Sequence, residues 1–195
     1  MTALMKNVRL AAKRIGELAK SPTRRFVTAS CVALLTTAAP ASADVTATDL
    51  QVAARALSFM EKPLNGTVRV GILHSPDNAR SLAQARAVRD LLGSGMRVGN
   101  VELRPVLVAS ADVVRIAVDL VFLTESATAA DAHAAKAAMR NRVPCVTTDI
   151  EQVSAGACLM GVQSRPKVSI IVNRAAADAS GVKFATVFRV MITEL

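Results

Sequence analysis

Tryptophan and tyrosine are absent from the 195 residues, and phenylalanine occurs five times. Without aromatic faces there is no platform for stacking bases, and no aromatic surface for sugars. Histidine is nearly as scarce. His74 ends an apolar run and His133 lies in an Ala-rich segment, with no cysteine or carboxylate at metal-ligand spacing from either. No G-x-S-x-G elbow presents a nucleophile, and no glycine-rich turn invites a pyrophosphate, because the candidate turn reads Ser75-Pro76-Asp77-Asn78. The expectation is a protein with no catalytic residues, no metal and no cofactor.

What is present begins with a basic stretch carrying Lys6, Arg9, Lys13, Arg14, Lys20, Arg24 and Arg25, then an apolar stretch from Phe26 to Ala39, then Ala41-Ser42-Ala43. This order is that of a secretory signal peptide, and it predicts cleavage between Ala43 and Asp44. The alternative is an amphipathic N-terminal helix on a cytosolic chain. A bilayer core of about 30 Å needs roughly 20 apolar residues; the run from Phe26 to Ala39 is shorter, so the expectation is release into the periplasm without an anchor. Arg24-Arg25-Phe26 is one position out of register for a twin-arginine signal, and almost no apolar run precedes Cys31 as a lipidation site.

Removing residues 1–43 takes away seven basic residues and Glu17, which leaves 17 basic against 14 acidic and a net charge of +3 in place of +9. That balance does not suggest nucleic acid. Residues 44–195 suffice for one core, and a single domain is expected.

The periodicity predicts helices at Ala47–Met60, Asn78–Leu92 (capped by Ser75 or Asp77) and Ala129–Asn141, with a short connector at Asp112–Ile116. Strands are predicted at Thr67–His74, Val101–Ala109 near a sheet edge because of Pro105, Val118–Thr124 and Pro144–Thr148. Alternating strands and helices argue for an α/β, three-layer, Rossmann-like domain with a mostly parallel sheet. Cys158–Gln163 and Lys167–Asn173, separated by Ser164-Arg165-Pro166, predict a C-terminal antiparallel hairpin. A closing helix from Asn173, broken at Gly181, is expected to finish the chain.

Parallel sheets bind ligands beyond the carboxyl ends of their strands. Here those ends carry Ser75, Asp77, Thr124, Glu125, Ser126, Thr147, Thr148 and Asp149, a candidate rim for a small molecule. Helix caps and turns use the same residue types, so the rim competes with a purely structural reading. Cys145 and Cys158 are thirteen positions apart. In an oxidising compartment a disulfide is their expected fate, with a pair of buried thiols as the alternative.

Leu57-Ser58-Phe59-Met60-Glu61-Lys62-Pro63 resembles the F-x-x-W-P element that follows the first helix of YfiR-like periplasmic proteins, with Lys62 in the place of tryptophan. Val68–Leu73 occupies the place of their first strand. Asp119–Leu123 resembles their VLFI strand, Pro144–Thr148 their P-x-L-T-V strand, and Val168–Ala176 their F-x-I-N-x-x-A segment; the closing VFRVMITEL departs from the family's serine- and leucine-rich end. The resemblance implies a periplasmic regulator that restrains a membrane-bound diguanylate cyclase by binding its periplasmic sensor part, in cyclic-di-GMP signalling, with disulfides that help hold the fold. The alternative function is small-ligand binding by a domain similar to one lobe of an ABC-transporter substrate-binding protein. A clamshell needs two lobes, so that version requires a homodimer or a shallow site.

Overall fold

Helix α1 (Ala47–Leu57) starts at a capping box, in which Thr46 Oγ1 accepts the Asp49 amide and the Asp49 carboxylate accepts the Thr46 amide at 2.8 Å. The computed structural model describes residues 45–195; the leader, its cleavage site at Ala43 and Asp44, and Cys31 lie outside the described residues. Asp49 also accepts the amide of Ser164 at 2.7 Å, which ties α1 to a turn more than a hundred residues away. Burial pushes this carboxyl up, and the hydrogen bonds from Thr46 and Ser164 more than offset that, so it lies below its ordinary value.

The chain then runs through strand β1 (Gly66–His74), helix α2 (Ala79–Leu92), strands β2 (Met96–Val98) and β3 (Val101–Ala109), a 3-10 turn (Ser110–Asp112) and strand β4 (Leu120–Leu123). Helix α3 (Ala129–Arg140), strand β5 (Cys145–Thr147), helix α4 (Ile150–Ser154) and strands β6 (Met160–Gln163) and β7 (Ser169–Val172) follow, and helices α5 (Arg174–Ala179) and α6 (Thr186–Arg189) with strand β8 (Thr193–Glu194) end it. All eight strands form one sheet in the order β2-β3-β1-β4-β5-β6-β7-β8. The five strands from β3 to β6 are parallel; β2 and β7 are antiparallel to their inner neighbours, and β8 runs parallel to β7. Because β1 connects leftward to β3 and β4 connects rightward to β5, right-handed crossovers put α2 on one face and α3 on the other. The expected three-layer α/β domain with its C-terminal hairpin is the fold observed.

The parallel strands are buried for the reason their composition suggested: Ile72, Leu73, Val121, Leu123 and Val146 are covered by both helical layers. Each such side chain contributes about 1.5–3 kcal/mol relative to exposure. Pro105 sits opposite Val70, past the end of the short β2, on a stretch of β3 whose outer side β2 does not cover. At Gly161 an added Cβ would meet Val153 Cγ2 at 2.8 Å and Ile150 Cδ1 at 2.9 Å, so the missing side chain is what lets α4 lie directly on β6.

Two expectations are corrected and one segment gains an element. Asn78, not Ser75 or Asp77, caps α2, accepting the amides of Arg80 and Ser81 at 3.0 and 3.1 Å. The segment between Thr148 and Cys158, to which the periodicity assigns no element, contains α4, whose five residues are too few to show a period. The closing helix is instead two short helices and β8. Val187, Val190, Ile192 and Thr193 are β-branched and disfavour a long helix. The outer edge of β7 needs a partner, which β8 supplies together with the Leu195 amide donating to Val172 O at 2.9 Å.

Candidate functional site

The crevice between the carboxyl ends of β1 and β4 is where the connections reverse direction, and there an open α/β sheet usually admits its ligand. Here it is filled. Asp131, fully buried in the first turn of α3, accepts the Ser75 hydroxyl at 3.0 Å, the hydroxyls of Ser110 and Thr128, and the Thr128 amide at 2.7 Å. Ser75 also hydrogen-bonds Thr128 Oγ1 at 2.7 Å, and Ser110 donates to His74 O at 3.2 Å. One carboxylate thereby joins the ends of β1 and β3 to the start of α3, and a buried charge of this kind is tolerable because its oxygens are satisfied.

The open space lies farther along the sheet. A cavity of about 560 Å³ sits at the carboxyl ends of β4, β5 and β6. Glu125 and Ser126 reach it from the loop after β4, Thr148 and Asp149 from the turn after β5, Glu151 from α4, Gln163 from the end of β6, and Asn78 and Arg80 from the start of α2. Its walls are held from behind. Gln152 accepts the Thr147 hydroxyl at 2.7 Å and donates to Thr124 O at 2.9 Å, and Gln163 donates to Thr148 O at 3.3 Å. The Ser126 amide donates to Gln84 at 2.8 Å, and Asp149 caps α4 by accepting the Glu151 amide at 2.9 Å.

The predicted rim residues therefore divide. Glu125, Thr148 and Asp149 border one cavity, Ser75 is committed to the Asp131 cluster, and Asp77 is exposed outside both. Thr124 is fully buried at the end of β4. Its hydroxyl, that of Ser126 and His74 Nδ1 are buried without a hydrogen-bond partner among the described residues. Arg80, Glu151 and Gln163 were missed from sequence. A charged residue two places beyond a cap, as at Asn78-x-Arg80 and Asp149-x-Glu151, was the available signal.

Cys145 and Cys158 form a disulfide with a Cα–Cα distance of 4.8 Å, both fully buried. Of the two expected fates, the structure shows the bridge. The bridge joins the start of β5 to the approach to β6 and closes the loop that contains α4, so it braces the segment carrying Asp149 and Glu151. Among the described residues, no group of three His, Cys, Asp or Glu side chains could hold a metal ion, and no helix is long and apolar enough to cross a membrane.

No family model matches the chain, and no curated protein matches it. Solved structures do share its α/β fold. A conserved domain protein from Vibrio cholerae O1 biovar El Tor superposes with a TM-score of 0.51 at 12% identity, covering 76% of this chain and 59% of that one. The ABC domain of Streptococcus pneumoniae in complex with L-Trp gives 0.51 at 12%, covering 75% and 60%. A substrate binding protein with adhesive properties from Clostridium difficile, in its ligand-free, open structure, gives 0.51 at 13%, covering 77% and 60%. The chain thus spans about three-fifths of the length of the structures it matches.

Proposed function

We propose that this is an exported, non-catalytic binding protein that takes a small polar ligand at the carboxyl ends of β4, β5 and β6. The observation that carries the reading is the 560 Å³ cavity into which four separate segments place hydrogen-bonding side chains, with the buried Ser126 hydroxyl left unpartnered. That volume falls within the range of small-molecule sites. Glu125, Asp149 and Glu151 against Arg80 make the lining rich in acceptors, which suits a ligand bearing donors, an amine above all. Two of the solved structures that share the fold are described as bound to L-Trp or as a substrate binding protein, which supports the reading by analogy of fold. The leader's order and the buried disulfide support export. With one lobe present, a second copy or a partner would complete the enclosure.

The test is a thermal-shift screen of the purified protein across amino acids, amines, polyols and organic acids. A ligand at 100 times its Kd adds about 2.7 kcal/mol, or a rise of roughly 5–10 °C for a domain of this size. A flat screen across all four classes contradicts the proposal.

A second reading rests on another surface. Val187, Val190, Met191 and Leu195 are more than half exposed around α6 and β8, an apolar strip suited to a protein partner. Restraint of a membrane-bound diguanylate cyclase through its periplasmic part, as the YfiR-like resemblance implies, would use this strip. Titration of such a cyclase's periplasmic domain against a Val190→Glu variant separates the two readings, since ligand binding in the cavity would be unaffected.

A further inference from the structure

A second cavity, of about 490 Å³, opens at the opposite pole, where Val118 and Pro144 lead into β4 and β5. Three segments each bring a cation to it: Lys62 after α1, Arg142 after α3 and Lys183 before α6. The first and third segments are clamped by the Glu61 amide donating to Lys183 O at 2.8 Å and by the bridge between Met60 and Phe184. Arg142 reaches toward the same place, since a Cβ on Gly181 would lie 4.0 Å from its Nε. None of the three forms a salt bridge among the described residues. Glu61 and Asp119 also line the cavity, but Asp119 is engaged by the Arg69 amide at 2.8 Å. The floor is apolar, with Met60, Leu64, Val143 and Val182.

The backbone of Arg142 makes the cluster more than scattered surface charge. Its φ of 63° is the one left-handed non-glycine conformation among the described residues. It closes α3 in the manner of a Schellman motif, with the Arg142 amide donating to Met139 O at 2.9 Å and the Val143 amide to Ala138 O at 3.1 Å. Glycine is the residue that folding favours there, because any Cβ crowds the left-handed backbone. An arginine kept at such a position, with its guanidinium at a cavity already bearing two unpaired lysines, calls for a gain outside folding.

We infer that this cavity binds a soluble organic anion, an apolar body carrying one carboxylate, with the acid group among Arg142, Lys62 and Lys183. Three cations against two carboxylates leave room for a single negative group, and the apolar floor takes the body. Isotope-labelled protein titrated with hexanoate, hexylamine and hexanol tests this, since the probes share a body and differ in charge. Hexanoate is expected to move the amide resonances of Lys62, Arg142, Gly181 and Lys183 saturably, and the other two are not. Arg142→Gly should weaken hexanoate by about tenfold and raise the thermal midpoint, a pairing that a purely structural arginine would not produce. Lys62→Gln, in an exposed loop, should weaken binding with the midpoint unchanged. Unaltered affinity in both variants, equal binding of hexylamine, or a lower midpoint for Arg142→Gly would each overturn the inference. So would association with phosphatidylglycerol vesicles in the absence of any hexanoate binding.

Discussion

Reducing the Cys145–Cys158 bridge is the perturbation whose magnitude follows most directly from the fold. The bond closes a loop across a sequence separation of 13 residues, and both sulfurs are fully buried between neighbouring parallel strands. Loop-closure entropy alone amounts to about 3 kcal/mol for a loop of this length. Reduction also replaces a bonded pair with two thiols that must separate inside a close-packed core, which costs more. The total therefore falls in the upper part of the 2–5 kcal/mol range seen when native disulfides are lost. In urea, with a slope of about 2 kcal/mol/M, the midpoint should drop by roughly 1.8–2.5 M between oxidised and reduced protein. Because α4 lies within the loop, its amides should exchange faster on reduction than those of α2, which the bridge does not enclose. Coincident midpoints, or two alkylatable thiols in the untreated protein, would refute the reasoning.

Asp49 gives a pH signature. Its folded value lies below its ordinary 3.8, so its contribution is present in full above that value and is lost as pH falls through the folded one. Asp49→Asn should flatten this acid-side loss, and denaturant midpoints measured from pH 6 down to 2.5 check it. Gly161→Ala should destabilise by about 1–3 kcal/mol, because its Cβ would push α4 off β6; Gly99→Ala, whose added Cβ would meet nothing within 4 Å but whose φ is +60°, reports the cost of backbone strain without crowding in the same unfolding assay.

Strands β1 and β4 were legible because Val70-Gly71-Ile72-Leu73 and Leu120–Leu123 are uninterrupted by polar residues and buried on both faces, as central parallel strands must be. The disulfide was legible from compartment chemistry and spacing together. Strand β2 was not, because Met96–Val98 has three residues and its partner, β3, is specified only by tertiary pairing. The C-terminus misled for a related reason: VFRVMITEL carries apolar residues at spacings a helix could use, and only the open edge of β7 turns Thr193–Glu194 into a strand. In the site, Thr148 and Asp149 could be placed because they end one strand. Arg80 and Gln163 could not, since they meet the same cavity from α2 and β6 through the crossover topology. Ser75 was drawn from the rim by Asp131, an acid whose capping role in Thr128-x-x-Asp131 is readable and whose reach to Ser110 is not.

The measurement that most directly tests the binding reading is a map of amide resonance changes when the strongest compound from the thermal screen is added. The account predicts saturable changes concentrated at Ser126, Thr148, Asp149, Glu151 and Gln163, and lost in Glu151→Gln together with the thermal shift. A compound that stabilises the protein while leaving those five amides unmoved would contradict it.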